Sequence, residues 1–286
     1  LLDFPHIPPA YCYRCPFAQT YPSCGVVCAD ALETEILRQG PSSVAAFIAE
    51  PVVGATLAAA VPPPEYWSRV RDICDRHRVL LIADEVMTGF GRTGRWFALD
   101  HWNVTPDVLV SGKGASSGYL PLGVLLAKSE CVEAIRGGPG NFTHGFTHAN
   151  GIMGATVGLA VLRYLQSHDL AAASAEMGAY LLQALEPLCD LPSVGDVRGL
   201  GLMAGVELVA DRKSKRPFPR SQNVAERVQA AAMQRGVIVY YGTGLANGVD
   251  GDAILIGPPF IVTTEQIDRI LHVLREAIAE VTGQVG

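Results

Sequence analysis

The stretch HRVLLIADEVMTGFGRTGRWF, His77 to Phe97, carries the reading of the fold. Val79 to Ala83 is an unbroken apolar run that stops at two acids, Asp84 and Glu85, and a glycine-rich turn follows at once. A short apolar run without polar alternation predicts a strand buried on both faces, as in a parallel sheet covered by helices. Such sheets bind ligands beyond the carboxyl ends of their strands. Two carboxylates at that position are therefore either solvated turn groups or the counter-charge of a cationic ligand.

Working outward, VAAFIAEP predicts a buried strand ending at Glu50, and PPPEYWSRVRDICDRHR a helix with prolines at its start and one apolar face. PDVLVSGK predicts a further strand ending near Lys113, and LPLGVLLAK a fourth. Strands separated by helices predict an α/β sheet, mostly parallel. Beyond Gly151 the texture changes. An alanine- and glycine-rich helix is expected to about Gln166, a second over Leu170–Leu188, and a hairpin in VGDVRGLGLMAGVEL. A helix near Asn223–Gln234, strands in GVIVYY and AILIGPPF, and a last helix from Thr264 complete the pattern. The expected organisation is a large α/β domain over residues 1–166 and a smaller α+β domain over 167–286.

Composition narrows the function classes. With 286 residues, 49% hydrophobic and 17% charged, the chain is globular and long enough for a sizeable core. A net charge of −6, with no basic cluster beyond DRKSKRPFPR, argues against nucleic acid as a partner. No apolar run approaches the roughly 18 to 20 residues of a membrane span. The N-terminal LLDFPHIPPAYCYRC does not read as a signal peptide, so a cytoplasmic location is expected. Of seven cysteines, Cys12, Cys15, Cys24 and Cys28 cluster with a spacing that resembles a zinc site. The segment between the pairs is short and Cys28 runs into a helix, so reduced, partly buried thiols are expected and no metal.

Three motifs mimic other chemistries. Gly89-Phe90-Gly91-Arg92-Thr93-Gly94 matches G-x-G-x-x-G, yet Asp84 to Thr88 separate it from the strand, and no long helical pattern follows. His144 and His148 have the spacing of a metal pair, but HGFTH is a poor helix. SGKGASSG is not a P-loop. What remains is Glu50, Asp84 and Lys113 at the ends of separate strands. A lysine between glycines has room for a bulky carbonyl ligand and can condense with an aldehyde. An aspartate at a neighbouring strand end suits a protonated ring nitrogen. Pyridoxal 5'-phosphate combines both.

LLIADEVMTGFGRTG, PDVLVSGKGASSGYLPLG and FTHGFTHANGIMGATVGLAVL, in that order and spacing, resemble the class III (ω-type) aminotransferases, from about Ala45 to the end. The resemblance implies a pyridoxal-phosphate transferase fold of type I, here expected to lack its N-terminal part, and transamination between an amine or amino acid and a keto acid. It implies Lys113 as the cofactor lysine, Asp84 as partner of the pyridine nitrogen and Val86 against the ring face. Thr147 would reach the phosphate of a neighbouring subunit, since the family builds its sites across a homodimer. Arg198 matches an arginine that binds substrate carboxylate, and Glu50 a glutamate that pairs with it when no carboxylate is present.

Departures from the family are Met87, where many members have glutamine, and Tyr240, where amine-selective members have an arginine. The family's glycine-serine phosphate cup and its ring-stacking aromatic have no counterpart in this sequence. Another reaction of the same cofactor, decarboxylation or an aminomutase, would share Lys113 and Asp84. A non-catalytic truncated fragment is the alternative from outside enzymology.

Overall fold

The structure, a computed structural model, describes residues 4–138, 140–147 and 149–285. His148 lies outside them. The chain forms two compact units: Leu1–Pro51, Pro62–Phe90 and Arg95–Asp169 make the first, and Val52–Val61, Gly91–Gly94 and Leu170–Gly286 the second.

The first unit is organised by a four-stranded sheet of β1 (Ala46–Ala49), β2 (Leu80–Asp84), β3 (Val108–Ser111) and β4 (Val124–Ala127), in that spatial order. β1, β2 and β3 are parallel, and β4 closes the edge antiparallel to β3. Register aligns the strand ends. Ala49 pairs with Ala83 and Asp84 with Val110, so Glu50, Asp84 and Lys113 all leave the sheet at its carboxyl side.

One face of this sheet packs on α1 (Val27–Gln39) and α2 (Tyr66–His77). On α2 the apolar residues Tyr66, Trp67, Val70, Ile73 and Cys74 recur at helical spacing and are buried, and the helix stops at Arg78 in a left-handed conformation, φ 56°. The Trp67 indole N–H donates to Pro51 O at 3.0 Å, which satisfies its polar atom in the core. Leu81, Ala83 and Leu109 meet these helices, whereas Ile48, Leu80 and Leu125 on the other face are exposed. Helices α3 (Ser129–Gly137) and α4 (Ile152–Ser167) follow β4, with α4 against the turn that begins at Lys113.

The second unit has α5 (Leu170–Leu185), the hairpin β5 (Val194–Gly199) and β6 (Ala204–Leu208), α6 (Val224–Gln234), β7 (Tyr240–Thr243), β8 (Asp252–Ile256) and α7 (Thr264–Gly283). Its antiparallel sheet runs β5-β6-β8-β7. Leu181, Leu185, Val206, Leu208, Ile254, Leu274 and Ile278 form one fully buried core between helices and sheet. α7 begins with a reciprocal cap: Thr263 Oγ1 accepts Gln266 N–H at 3.3 Å, and Gln266 Oε1 accepts Thr263 N–H at 3.0 Å. α5 ends earlier than expected because Pro187 cannot continue it, and a 3₁₀ turn takes over from Glu186. Among the described residues no helix is long and apolar enough to cross a membrane.

Candidate active site

Asp84 is the last residue of β2 and is half-buried. Its Oδ1 accepts the Val86 N–H at 3.1 Å, a local turn that fixes the carboxylate against the chain. Its other oxygen has no hydrogen-bond partner among the described residues. On the neighbouring parallel strand, Lys113 opens a 3₁₀ turn two residues past β3, with φ 40°. Its side chain is exposed, and among the described residues its ammonium makes no hydrogen bond or ion pair. Gly112 before it is buried, and a Cβ there would lie 3.2 Å from Leu122 O. Glu50 follows β1 and is half-buried, as is Val86. Thr147 is exposed, in the stretch after α3.

This donor set fits pyridoxal phosphate at two of its three handles. A free lysine amine suits the aldehyde, and an aspartate oxygen without a partner suits a protonated ring nitrogen. For the phosphate, Thr147 supplies one hydroxyl.

The turn after Asp84 is built by Glu85, whose importance the sequence reading missed. Glu85 is fully buried and accepts hydrogen bonds from Ala98 N–H at 3.0 Å, Leu99 N–H at 3.1 Å and the Thr88 hydroxyl. Burial pushes its carboxyl up, and these donors pull it back. Gly89 is glycine because a Cβ would lie 2.7 Å from Glu85 O and 2.9 Å from Ser111 Oγ. The glycines of the G-x-G-x-x-G match thus answer to packing, and the short 3₁₀ turn Ala98–Trp102 is the only helical element directly after them.

At the other end of β3, Asp107 ties the strand down. It accepts Leu81 N–H, Arg71 and Lys128, each at 2.8 Å. A shallow apolar cleft of about 260 Å³, lined by Val104, Pro106, Leu109, Leu126 and Lys128 among others, opens there, remote from Lys113 along the strand.

In the second unit, Arg198 lies on β5 with a side chain only 10% exposed. Asp196 and Glu207 face each other across β5 and β6, a like-charge pair that would repel, and Arg198 Nη1 bridges both at 2.7 and 2.9 Å. Opposite Arg198 in the register stands Gly205. A Cβ there would fall 1.9 Å from Ala58 O, so the missing side chain makes a notch for the 52–61 loop. Arg198 holds that loop in the notch: Nε donates to Ala58 O at 3.0 Å, and Nη2 to Leu57 O at 2.7 Å. Four of five guanidinium N–H groups are accounted for by these bonds, and two carboxylates already face the charge. The expected reader of a substrate carboxylate is a brace in this geometry, because a third anion would meet a site that is already net negative.

The cysteines are free thiols: Cys12 and Cys189 exposed, Cys28 and Cys74 buried and pushed up to about 11 by burial. Among the described residues no group of three or more His, Cys, Asp or Glu is arranged to hold a metal ion.

Comparison with known proteins decides the relationship. The family model Aminotransferase class-III matches residues 2–278. The chain belongs to the class III aminotransferases. An uncharacterized aminotransferase of Bacillus subtilis is 40% identical over 254 residues, which is 88% of this chain and 57% of that protein. The thermostable (S)-enantioselective omega-transaminase of Thermomicrobium roseum superposes with a TM-score of 0.90 at 37% identity, covering 97% of this chain and 60% of that one. An amine transaminase from an uncultivated Pseudomonas species, solved in its PLP-bound form, gives 0.87 at 36% identity, covering 95% and 60%. The class III chain described here thus has the type I α/β fold and spans a little over half the length of these relatives.

Proposed function

We propose that the protein is a pyridoxal-phosphate-dependent transaminase moving an amino group between an amine or amino acid and a keto acid. The observation that carries this is the pairing of an unpartnered Lys113 amine with an Asp84 oxygen that has no partner, at the carboxyl ends of adjacent parallel strands. When bound, the cofactor supplies an aldehyde and an electron sink. Lys113 would hold the aldehyde carbon and, once released by a donor amine, move a proton at the substrate Cα. Asp84 would keep the ring nitrogen protonated by charge, and Val86 would bear on the ring face.

Thr147 would serve the phosphate of a second copy in a homodimer. In support, Thr147 is exposed beside Phe142 and Phe146, which are 71% and 75% exposed. Seven free thiols fit a reducing compartment, the cytoplasm. Glu50 stays with the substrate pocket as a shielding carboxylate, whereas the bonds of Arg198 favour bracing over substrate recognition.

The test is to incubate the protein with pyridoxal phosphate, reduce with borohydride and map the label, since reduction traps even a weakly held aldehyde. Label on Lys113, lost in Lys113→Ala, is the expected result. A label on another lysine with Lys113 unmodified would remove the assignment. Screening amines and ω-amino acids against pyruvate and 2-oxoglutarate would then identify donor and acceptor.

A further inference from the structure

Asp84 and Glu85 are neighbours with opposite surroundings. Successive side chains of an extended strand point to opposite faces, so one acid of such a pair turns inward. The inward one is Glu85, fully buried and facing only neutral donors: Ala98 N–H, Leu99 N–H and the Thr88 hydroxyl. Its main chain is held as firmly. Its N–H donates to Val110 O at 2.8 Å, and its carbonyl accepts Gly89 N–H at 2.9 Å and Ser111 Oγ at 2.8 Å. That carbonyl shares a rigid peptide plane with the Val86 N–H. The Val86 N–H is the group that grips Asp84 Oδ1 at 3.1 Å. Whatever fixes the Glu85 carbonyl therefore aims the donor that orients Asp84.

We propose that Glu85 is a positioning residue for Asp84: its buried carboxylate locks the turn, and the locked turn points the Asp84 carboxylate. This rests on the reading of Asp84 as partner of the ring nitrogen. The carboxylate is needed as such. In Glu85→Gln the amide oxygen can take the place of only one carboxylate oxygen, so its NH₂ faces either the Ala98 or the Leu99 N–H, whichever way the amide is turned. A donor facing a donor, buried, loosens the turn.

The experiment has two arms. Amide hydrogen exchange is measured on the chain alone, in the wild type, Glu85→Gln and Thr88→Val. Val86 is expected to exchange about tenfold faster in Glu85→Gln, the loss of roughly one buried hydrogen bond, while Leu81 and Ala83 within β2 keep their protection. Faster exchange at Ala98 and Leu99 with Val86 unchanged would overturn the proposal, because the carboxylate would then serve only the 3₁₀ turn. Should Glu85→Gln fail to fold, Thr88→Val removes one donor and keeps the charge. A rise of about threefold at Val86 supports the proposal, and no rise overturns it.

In the second arm, ¹⁵N-labelled pyridoxal phosphate reports the protonation of the ring nitrogen against pH in Glu85→Gln and Asp84→Asn. Both are expected to lower it, Asp84→Asn the more. A moved signal in Asp84→Asn beside an unmoved one in Glu85→Gln overturns the positioning proposal. An unmoved signal in Asp84→Asn overturns the reading of Asp84 instead.

Discussion

Replacing Arg198 by alanine separates a brace from a reader of carboxylates. The guanidinium is 10% exposed, and its partner Glu207 is 0% exposed. Its removal leaves that carboxylate in the core without its cation, a change worth about 3–5 kcal/mol. It also leaves Asp196 and Glu207 opposed across the hairpin and frees the carbonyls of Leu57 and Ala58, each bond worth about 1 kcal/mol. Because all these bonds belong to one cluster they do not add, and a total of about 3–5 kcal/mol is expected. Urea unfolding of the wild type and Arg198→Ala measures it. The double variant Arg198→Met with Glu207→Gln should lose less than the sum of its parts, since it removes the charge that the single change strands. Substrate assays complete the test: a brace predicts parallel losses for carboxylate-bearing and simple amines. A variant stable to within about 1 kcal/mol of wild type that fails only on carboxylate-bearing substrates would refute the reasoning and restore Arg198 to the substrate site.

Asp252 on β8 is buried, and burial pushes its carboxyl up to about 6, although the Ala225 N–H at 3.0 Å favours the charged form. The folded state thus holds this proton more tightly than the unfolded one. Its stabilising share is complete below about pH 4 and is lost as the pH rises through about 6. Unfolding free energies across that window should fall by up to about 3 kcal/mol in the wild type and less in Asp252→Asn. Parallel pH profiles would count against it. Alkylation at about pH 8 should mark exposed Cys12 well before Cys28 and Cys74, whose thiols stay protonated at that pH. Equal rates would contradict that order. Titrated with pyridoxal phosphate, the 286-residue chain should bind weakly, because a phosphate is best held by several backbone N–H groups and Thr147 offers one hydroxyl. Tight stoichiometric binding with turnover would show that the cradle is complete.

Strands with unbroken apolar runs were legible because burial on both faces leaves a composition signal. LLIAD became β2 and DVLVS became β3 to within a residue. The end of α7's approach was legible from Thr263 and Gln266, whose spacing is that of a cap. GVIVYY was read too generously. Only Tyr240 and Tyr241 of it enter β7, because Val237 and Val239 are buried without joining a ladder. The direction of β4 was hidden, since LPLGVLLAK gives an apolar strand but says nothing of parallel or antiparallel pairing. The site divides similarly. Lys113 and Asp84 stood out at strand ends, but Glu85 passed as a turn acid, although strand alternation alone turns one of two adjacent acids inward. Arg198 was misjudged because its partners, Asp196 across from Glu207 and the carbonyls of a loop far off in sequence, exist only once the hairpin register is set.

The notch at Gly205 has a consequence for how this polypeptide can be divided. The loop that fills it, residues 52–61, belongs to the second unit but is inserted in the sequence of the first, as is the shorter piece 91–94. The chain changes units at 51/52, 61/62, 90/91, 94/95 and 169/170, so no single break releases the second unit whole. A genetic rearrangement that moved residues 170–286 alone would carry away a socket without its plug, and Arg198 with two carbonyl acceptors missing. Domain shuffling, which trades in contiguous blocks, has no clean seam here.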